Sequence, residues 1–289
     1  MDVMSRIERS LAAAIARADA PGCPPRLHAA MHHAVFPRGA RIRPRLCLAV
    51  AAACAEDDRA VSDAAAASIE LLHCASLVHD DLPCFDDADT RRGRPTVHRQ
   101  FGAPLAVLAG DALIVLAFQT LAYGTASAPA RLAPLMLTVA QSVGVPGGIV
   151  AGQAWECEDE INLHRYQQEK TGALFAAATV AGAAAAGADA EPWRALGAAL
   201  GEAFQVADDI LDAYGRAEDI GKPTGQDAAH NRPNAVRELG LDGAIAHLDD
   251  LAAAAVAAVP PCPGATGLRG HILTECARLL PKELNRHAA

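Results

Sequence analysis

The run Leu77-Val-His-Asp80-Asp81-Leu-Pro-Cys-Phe-Asp86-Asp-Ala-Asp-Thr-Arg91-Arg92-Gly93 decides how the chain reads. Upstream of it, Val61 to Val78 predicts a helix. Ile69, Leu71, Leu72, Leu77 and Val78 are apolar, and no proline or glycine interrupts them. A helix this apolar belongs in a core, yet it ends in two adjacent carboxylates with more to follow. Two carboxylates about 6 Å apart repel by roughly 3 kcal/mol at an effective dielectric near 20, so an inward-facing group of them calls for cations. A second cluster, Phe204-Gln205-Val-Ala-Asp208-Asp209-Ile-Leu-Asp212, recurs inside another apolar stretch and argues against a merely solvated helix end.

The 289 residues are 52% hydrophobic but only 4% aromatic. Abundant alanine and scarce β-branched runs favour closely packed helices over sheet. Proline breaks are spread along the chain, so one all-α domain covering residues 1–289 is expected. A net charge of −9 argues against a general nucleic-acid binder, though not against a local basic pocket. Eight cysteines without a Cys-x-x-Cys pair, and no secretory segment at the N-terminus, suggest reduced, mostly buried thiols and a cytoplasmic protein. The alanine-rich stretch from Gly172 to Gly187 is short and weakly apolar for a membrane span and reads as a buried helix.

Taken in order, Val3 to Ala20 is an amphipathic helix with Ile7, Leu11 and Ile15 at spacing four. Arg38, Arg41, Arg43 and Arg45 precede or open a helix from about Pro44 to Cys54. They fit surface charge or a diphosphate site at a helix N-terminus. Thr90 to Arg99 reads as a loop stiffened by Pro95, and Leu105 to Tyr123 as an apolar helix containing Asp111. Gly147-Gly148 opens a helix with Gln153 and Glu156, and Lys170-Thr171-Gly172 starts the alanine-rich one, where lysine and threonine fit a simple cap. Asp208 and Asp212 share a helix face, with Asp209 about 100° round. Gly221-Lys222 is a turn presenting one lysine, and two or three amphipathic helices follow Asn234.

Oxygen-only ligand sets select hard cations, and Mg²⁺ commonly bridges carboxylates to substrate phosphates. Two acidic clusters suit two or three such ions, partly recruited with a diphosphate. His79, alone on an apolar helix, reads as a hydrogen-bonded core residue. A clamped diphosphate that leaves carbon generates a cation, which a water-excluding apolar cavity protects.

These residues resemble the trans-isoprenyl diphosphate synthases, or polyprenyl synthetases, from about Arg38 to Arg232. Asp80-Asp-Leu-Pro-Cys-Phe-Asp86 and Asp208-Asp-Ile-Leu-Asp212 resemble the two aspartate-rich motifs. Arg91-Arg92-Gly, Gly110-Asp111, Gly152-Gln153, Lys170-Thr171-Gly172, Phe204-Gln205 and Gly221-Lys222 fall where that family has them. The resemblance implies a helical bundle of isoprenoid synthase type with a central cavity, and a homodimer. It implies that Asp80, Asp86 and Asp208 bind Mg²⁺ with Asp81 and Asp212 in support. Arg91, Lys170 and Lys222 would hold the allylic diphosphate; Arg43, His73 and Arg92 would hold isopentenyl diphosphate. Thr171 and Gln205 would face the developing cation, and Phe204 and Ala75 would line the substrate's path. The implied reaction is head-to-tail prenyl transfer from an allylic diphosphate to isopentenyl diphosphate.

The chain departs from the family's Gly-Gly-Lys-Arg-x-Arg-Pro at Ala40, where a lysine is usual. Arg38 or Arg41 is the candidate to supply the missing charge, worth about 1.5–3 kcal/mol as a charge-assisted contact. Glu156 replaces the usual aspartate after Gly-Gln. Ala40-Arg-Ile-Arg-Pro44 and Arg232-Pro-Asn-Ala-Val236 resemble the geranylgeranyl diphosphate synthases of purple-bacterial carotenoid and photopigment pathways. Ala75 and Ser76, one turn before Asp80, leave a prenyl tail room beyond fifteen carbons, since one 5.4 Å turn spans about one isoprene unit. A C20 product is therefore expected, with C15 farnesyl synthesis as the runner-up. A catalytically weak regulatory subunit and a class I terpene cyclase are the remaining readings.

Overall fold

The computed structural model describes residues 2–36, 39–54, 58–160, 163–214 and 234–280. In chain order the helices are α1 (Val3–Ala18), α2 (Pro25–Val35), α3 (Ile42–Cys54), α4 (Arg59–Asp80), α5 (Val97–Phe101), α6 (Ala103–Gly124), α7 (Leu132–Val143), α8 (Ile149–Ala154), α9 (Leu163–Gln167), α10 (Ala173–Ala186), α11 (Arg194–Tyr214), α12 (Ala235–Ala257) and α13 (Ala265–Cys276). The expected all-α class holds. The described strands are β1 (Thr90–Arg91) and β2 (Arg94–Pro95), an antiparallel pair.

The described residues group into two compact units. One comprises Met1–Ala52, Glu56–Ala140 and Ala181–Asp189; the other comprises Ala53–Ala55, Gln141–Val180 and Ala190–Ala289. In the first, α4 packs along α6, and α1 lays Ile7, Leu11 and Ile15 into the interior. The helix of the opening stretch is longer than the sequence suggests, 22 residues, because nothing from Arg59 to Asp80 breaks it. Asp81 caps its C-terminal end and Pro83 follows at the place where a helix cannot continue. In the second unit, Ala203, Val206, Ala207 and Ile210 of α11 bury against Ala244, Ile245, Leu248 and Leu251 of α12. The chain beyond Asn234 is helical as expected, with a kink in α12 at Gly240, whose φ is 72°.

The segment read as a loop around Pro95 is a hairpin. Arg92 and Gly93 both have positive φ, 53° and 73°, the signature of a two-residue type I′ turn. Its strands are two residues long and arginine-rich, too short to carry a strand pattern in sequence. The cysteines are all free, but only Cys47, Cys74 and Cys276 are buried, while Cys84 and Cys157 are exposed. Fewer thiols are buried than expected because several lie in loops or at helix ends. The alanine-rich α10 is buried from Leu174 to Ala185, as a helix apolar all round should be. Two other described helices, α4 and α6, are long and apolar enough to cross a membrane. The relevant stretch of α4 is 78% buried within the protein and that of α6 is 44% buried.

Candidate active site

In the first unit the acids divide into two kinds. Asp87 and Asp89 are held by Arg99 of α5, at 3.2 and 2.6 Å, and serve to fix the loop after α4. Asp81 instead pairs with Arg91, whose charged form Asp80 and Asp86 also favour. The Asp86 amide donates to the Asp80 carbonyl at 3.0 Å, folding the loop back so that the two side chains start from adjacent backbone. Arg91, presented by the hairpin, donates to Asp81 Oδ1 through Nη2 at 2.5 Å and Nε at 3.0 Å. Burial raises the Asp81 proton affinity, and the Arg91 pairing only partly offsets it.

Carboxylates at the C-terminal end of a helix face the negative pole of its dipole, an unfavourable place without a cation. Asp80 and Asp81 occupy that end of α4, and Asp208 and Asp212 lie within the last two turns of α11. These donors are oxygen only and charged, which fits Mg²⁺. Among the described residues no group of three or more His, Cys, Asp or Glu side chains forms a ready-made metal cage. An ion held by them therefore needs further oxygens, as a substrate diphosphate supplies.

Beside this cluster lies a second positive group in the same unit. A side chain at Gly39 would collide with the Arg92 guanidinium, so glycine there lets the hairpin tip close over the 39–43 segment. Burial lowers the proton affinity of Arg43 to about 10, with Glu70 opposing and Arg92 adding to the shift. Burial also pushes His73 well below the ordinary histidine range, followed by the charges of Arg43, Arg92, Arg91 and Arg41. A neutral imidazole between guanidinium groups is a pocket in which an anion relieves repulsion.

Arg41 belongs to a different system. It donates from Nη1 to Glu70 at 2.6 Å, from Nε to Glu8 at 3.0 Å and from Nη2 to the Val35 carbonyl at 2.8 Å, with 2% of its surface exposed. Burial opposes its charge, but Glu70 and Glu8 outweigh it and raise its proton affinity. Arg41 therefore does not supply the charge missing at Ala40; its guanidinium is fully engaged in the core. Arg38 lies outside the described residues. Glu70 escaped the sequence reading, although it is the lone charged residue from Ala64 to Val78, a signal that it has a buried partner.

In the second unit, Lys170 and Thr171 are not a cap. They lie in a π-helical turn, Gln168–Gly172, that runs on from α9 into α10. Such turns redirect side chains and recur at functional sites. Gly152 of α8 packs so closely on the Lys170 backbone that any side chain there would collide, which explains the glycine of Gly152-Gln153. Glu156 accepts from Lys170 Nζ at 2.7 Å, from Tyr166 Oη at 2.6 Å and from Gln153 Nε2 at 2.8 Å. Thr171 Oγ1 donates to Gln205 Oε1 at 3.1 Å, and Gln205 Nε2 donates to Asp209 Oδ1 at 2.9 Å. The Phe204 ring packs on Phe175, centroids 5.2 Å apart. Lys222 falls outside the described residues.

Two predicted positions on α4 serve packing around the first cluster. Ala75 is buried, 2% exposed, one turn before the acids. His79 Nε2 donates to the Val107 carbonyl, 3.2 Å away, and rests on Gly110, where a side chain would displace it. His79 is hydrogen-bonded as expected but half-buried rather than in the core, and Gly110-Asp111 owes its glycine to it.

Carboxylates at the negative ends of two helices, those of the first beside Arg91, fit a metal-bound polyanion. The sequence pattern of the polyprenyl synthetase family matches residues 24–250, and the chain belongs to that family. It is 54% identical over 279 residues to a geranylgeranyl diphosphate synthase of Cereibacter sphaeroides, covering 96% of this chain and 97% of the relative. It is 53% identical over 264 residues to the geranylgeranyl diphosphate synthase of Rhodobacter capsulatus, covering 91% of each. A geranyltransferase of Helicobacter pylori, solved with magnesium and isoprenyl diphosphate, superposes with a TM-score of 0.82 at 29% identity, covering 96% of each chain.

Proposed function

We propose that this protein is a geranylgeranyl diphosphate synthase, a Mg²⁺-dependent prenyltransferase that condenses isopentenyl diphosphate with an allylic diphosphate. The observation that carries the reading is the Asp81–Arg91 pair at the negative end of α4, where Asp80 and Asp86 also favour the Arg91 charge. Residues 1–289 act as one catalytic domain in this reading. Asp80, Asp86 and Asp208 would hold two or three Mg²⁺, with Asp81 and Asp212 supporting. When bound, the ions neutralise the departing diphosphate.

The chain's own groups do the rest. Arg91, Lys170 and Lys222 orient the allylic diphosphate, and Arg43, His73 and Arg92 hold isopentenyl diphosphate. Thr171 and Gln205 turn oxygen toward the carbon that becomes cationic, and Phe204 helps wall off water. The isopentenyl double bond attacks that carbon, and the released diphosphate takes the proton. Ala75 leaves the tail room to extend along α4 toward Leu71 and Leu72, which supports C20 over C15.

A homodimer is supported by α6, whose exposed face carries Leu108 and Val115 seven residues apart with Tyr123 nearby. Asp111, with its side chain 60% exposed, shares that helix and suits a second copy better than lipid. The cytoplasm is the compartment this reading favours.

The test is a product assay on the purified chain with Mg²⁺, isopentenyl diphosphate and dimethylallyl, geranyl or farnesyl diphosphate. C20 alcohol after dephosphorylation is expected, abolished by chelation. C15 alone would overturn the product length; product formed without isopentenyl diphosphate would point to a cyclase.

A further inference from the structure

Asp209 stands in the second acidic cluster, and its carboxylate is held by Gln205 and the Ala235 amide. It is 2% exposed. Its Oδ1 accepts from Gln205 Nε2 at 2.9 Å and its Oδ2 accepts from the Ala235 amide at 2.8 Å, while its carbonyl accepts from Asn234 Nδ2 at 3.3 Å. Gln205 in turn accepts from Thr171. We propose that Asp209 is a positioning residue that sets the polarity of the Thr171–Gln205 pair presented to the reacting carbon.

The argument is one of donor and acceptor inventory. A carboxylate only accepts, so only the NH₂ of the Gln205 amide can face Asp209. That fixes the amide so that its Oε1 faces Thr171. Oε1 has no hydrogen to give, so the Thr171 hydroxyl must be the donor, and its proton is committed to Gln205. The Thr171 oxygen then keeps its lone pairs for whatever lies before it. Reversing the amide would present an N–H to Thr171, make the hydroxyl oxygen the acceptor, and free its proton to point outward. A lone pair stabilises a developing carbocation and a hydroxyl proton repels it, so the buried aspartate decides which of the two the site offers. The Ala235 amide and the Asn234 side chain hold Asp209 in place for this task. The inference rests on the functional reading above, which supplies the cation.

Asp209→Asn isolates the polarity from the tether. The new amide keeps an oxygen for the Ala235 amide and turns its NH₂ toward Gln205, which then reverses. The expected result is a kcat about ten- to a hundredfold lower, with the KM of both diphosphates and the Mg²⁺ dependence unchanged and the melting temperature close to wild type. Adding Gln205→Glu to Asp209→Asn restores an acceptor opposite Thr171 at constant net charge, and most of the lost kcat should return. A second readout is equilibrium binding of an allylic diphosphate analogue with an ammonium nitrogen at the reacting carbon. Its affinity should fall in Asp209→Asn and recover in the double variant, while a thiolodiphosphate analogue without the ammonium charge binds all three proteins alike.

Wild-type kcat in Asp209→Asn, or a double variant no better than the single one, overturns the inference. Should the single variant fail to fold, the double variant compared with wild type in the ammonium-analogue assay decides it: weak binding there overturns it. A wild-type protein that makes no prenyl product sinks the functional reading instead, so the two failures are distinct.

Discussion

Arg41 and Glu70 form an ion pair at 2.6 Å in the interior, with side chains 0% and 2% exposed, 29 positions apart in sequence. Removing one partner leaves an uncompensated buried charge. Glu70→Ala should therefore destabilise the protein by about 3–5 kcal/mol, read as a lower urea midpoint at unchanged slope. A loss below 1 kcal/mol would mean that Glu8 and the Val35 carbonyl suffice for Arg41.

Because Arg41 is engaged in the core, it does not replace the charge absent at Ala40. Ala40 is exposed, so a longer side chain has room. Ala40→Lys should lower the KM for isopentenyl diphosphate about tenfold, the value of one charge-assisted hydrogen bond, and leave the allylic KM unchanged. Steady-state kinetics with each substrate varied in turn checks this.

Ala75→Phe should shorten the main product, because a phenyl ring one turn before Asp80 stops the tail near fifteen carbons or earlier. Ala75 is buried, so overpacking should also cost about 1–3 kcal/mol. Chromatography of the dephosphorylated alcohols reads the first effect and thermal melting the second. An unchanged product distribution would remove α4 as the wall of the tail's path.

His73 provides a pH test. Its proton affinity in the fold is depressed, so the native protein keeps it neutral, while the unfolded chain takes up a proton below about pH 6.5. The unfolded state then binds more protons, and stability falls as pH drops below that value. His73→Gln should flatten the difference between melting temperatures at pH 7 and pH 5 relative to wild type. An equal or steeper fall in the variant would contradict a neutral native imidazole.

Much of the fold was legible from local pattern. The uninterrupted apolar run before Asp80 gave α4 to within two residues at each end, and the spacing of Ile7, Leu11 and Ile15 gave the buried face of α1. The hairpin at Thr90–Pro95 was not legible, since its signal is the backbone conformation of Arg92 and Gly93 rather than a run of strand formers. The π turn at Gln168–Gly172 was hidden for the same reason.

Helix existence, the order of the acidic and basic motifs and membership of the polyprenyl synthetase family follow from the sequence alone, because periodicity and spacing are written in neighbouring residues. Which of two like residues serves the core and which the site was decided only in three dimensions. Arg41 and Arg43 are two apart, yet Glu8 and Glu70 claim the first and leave the second beside His73 and Arg92. Asp208 and Asp209 are adjacent, yet Gln205 and the Ala235 amide hold the carboxylate of the second. A charged side chain takes its role from the partners that packing brings within hydrogen-bond reach, and no spacing along the chain names them.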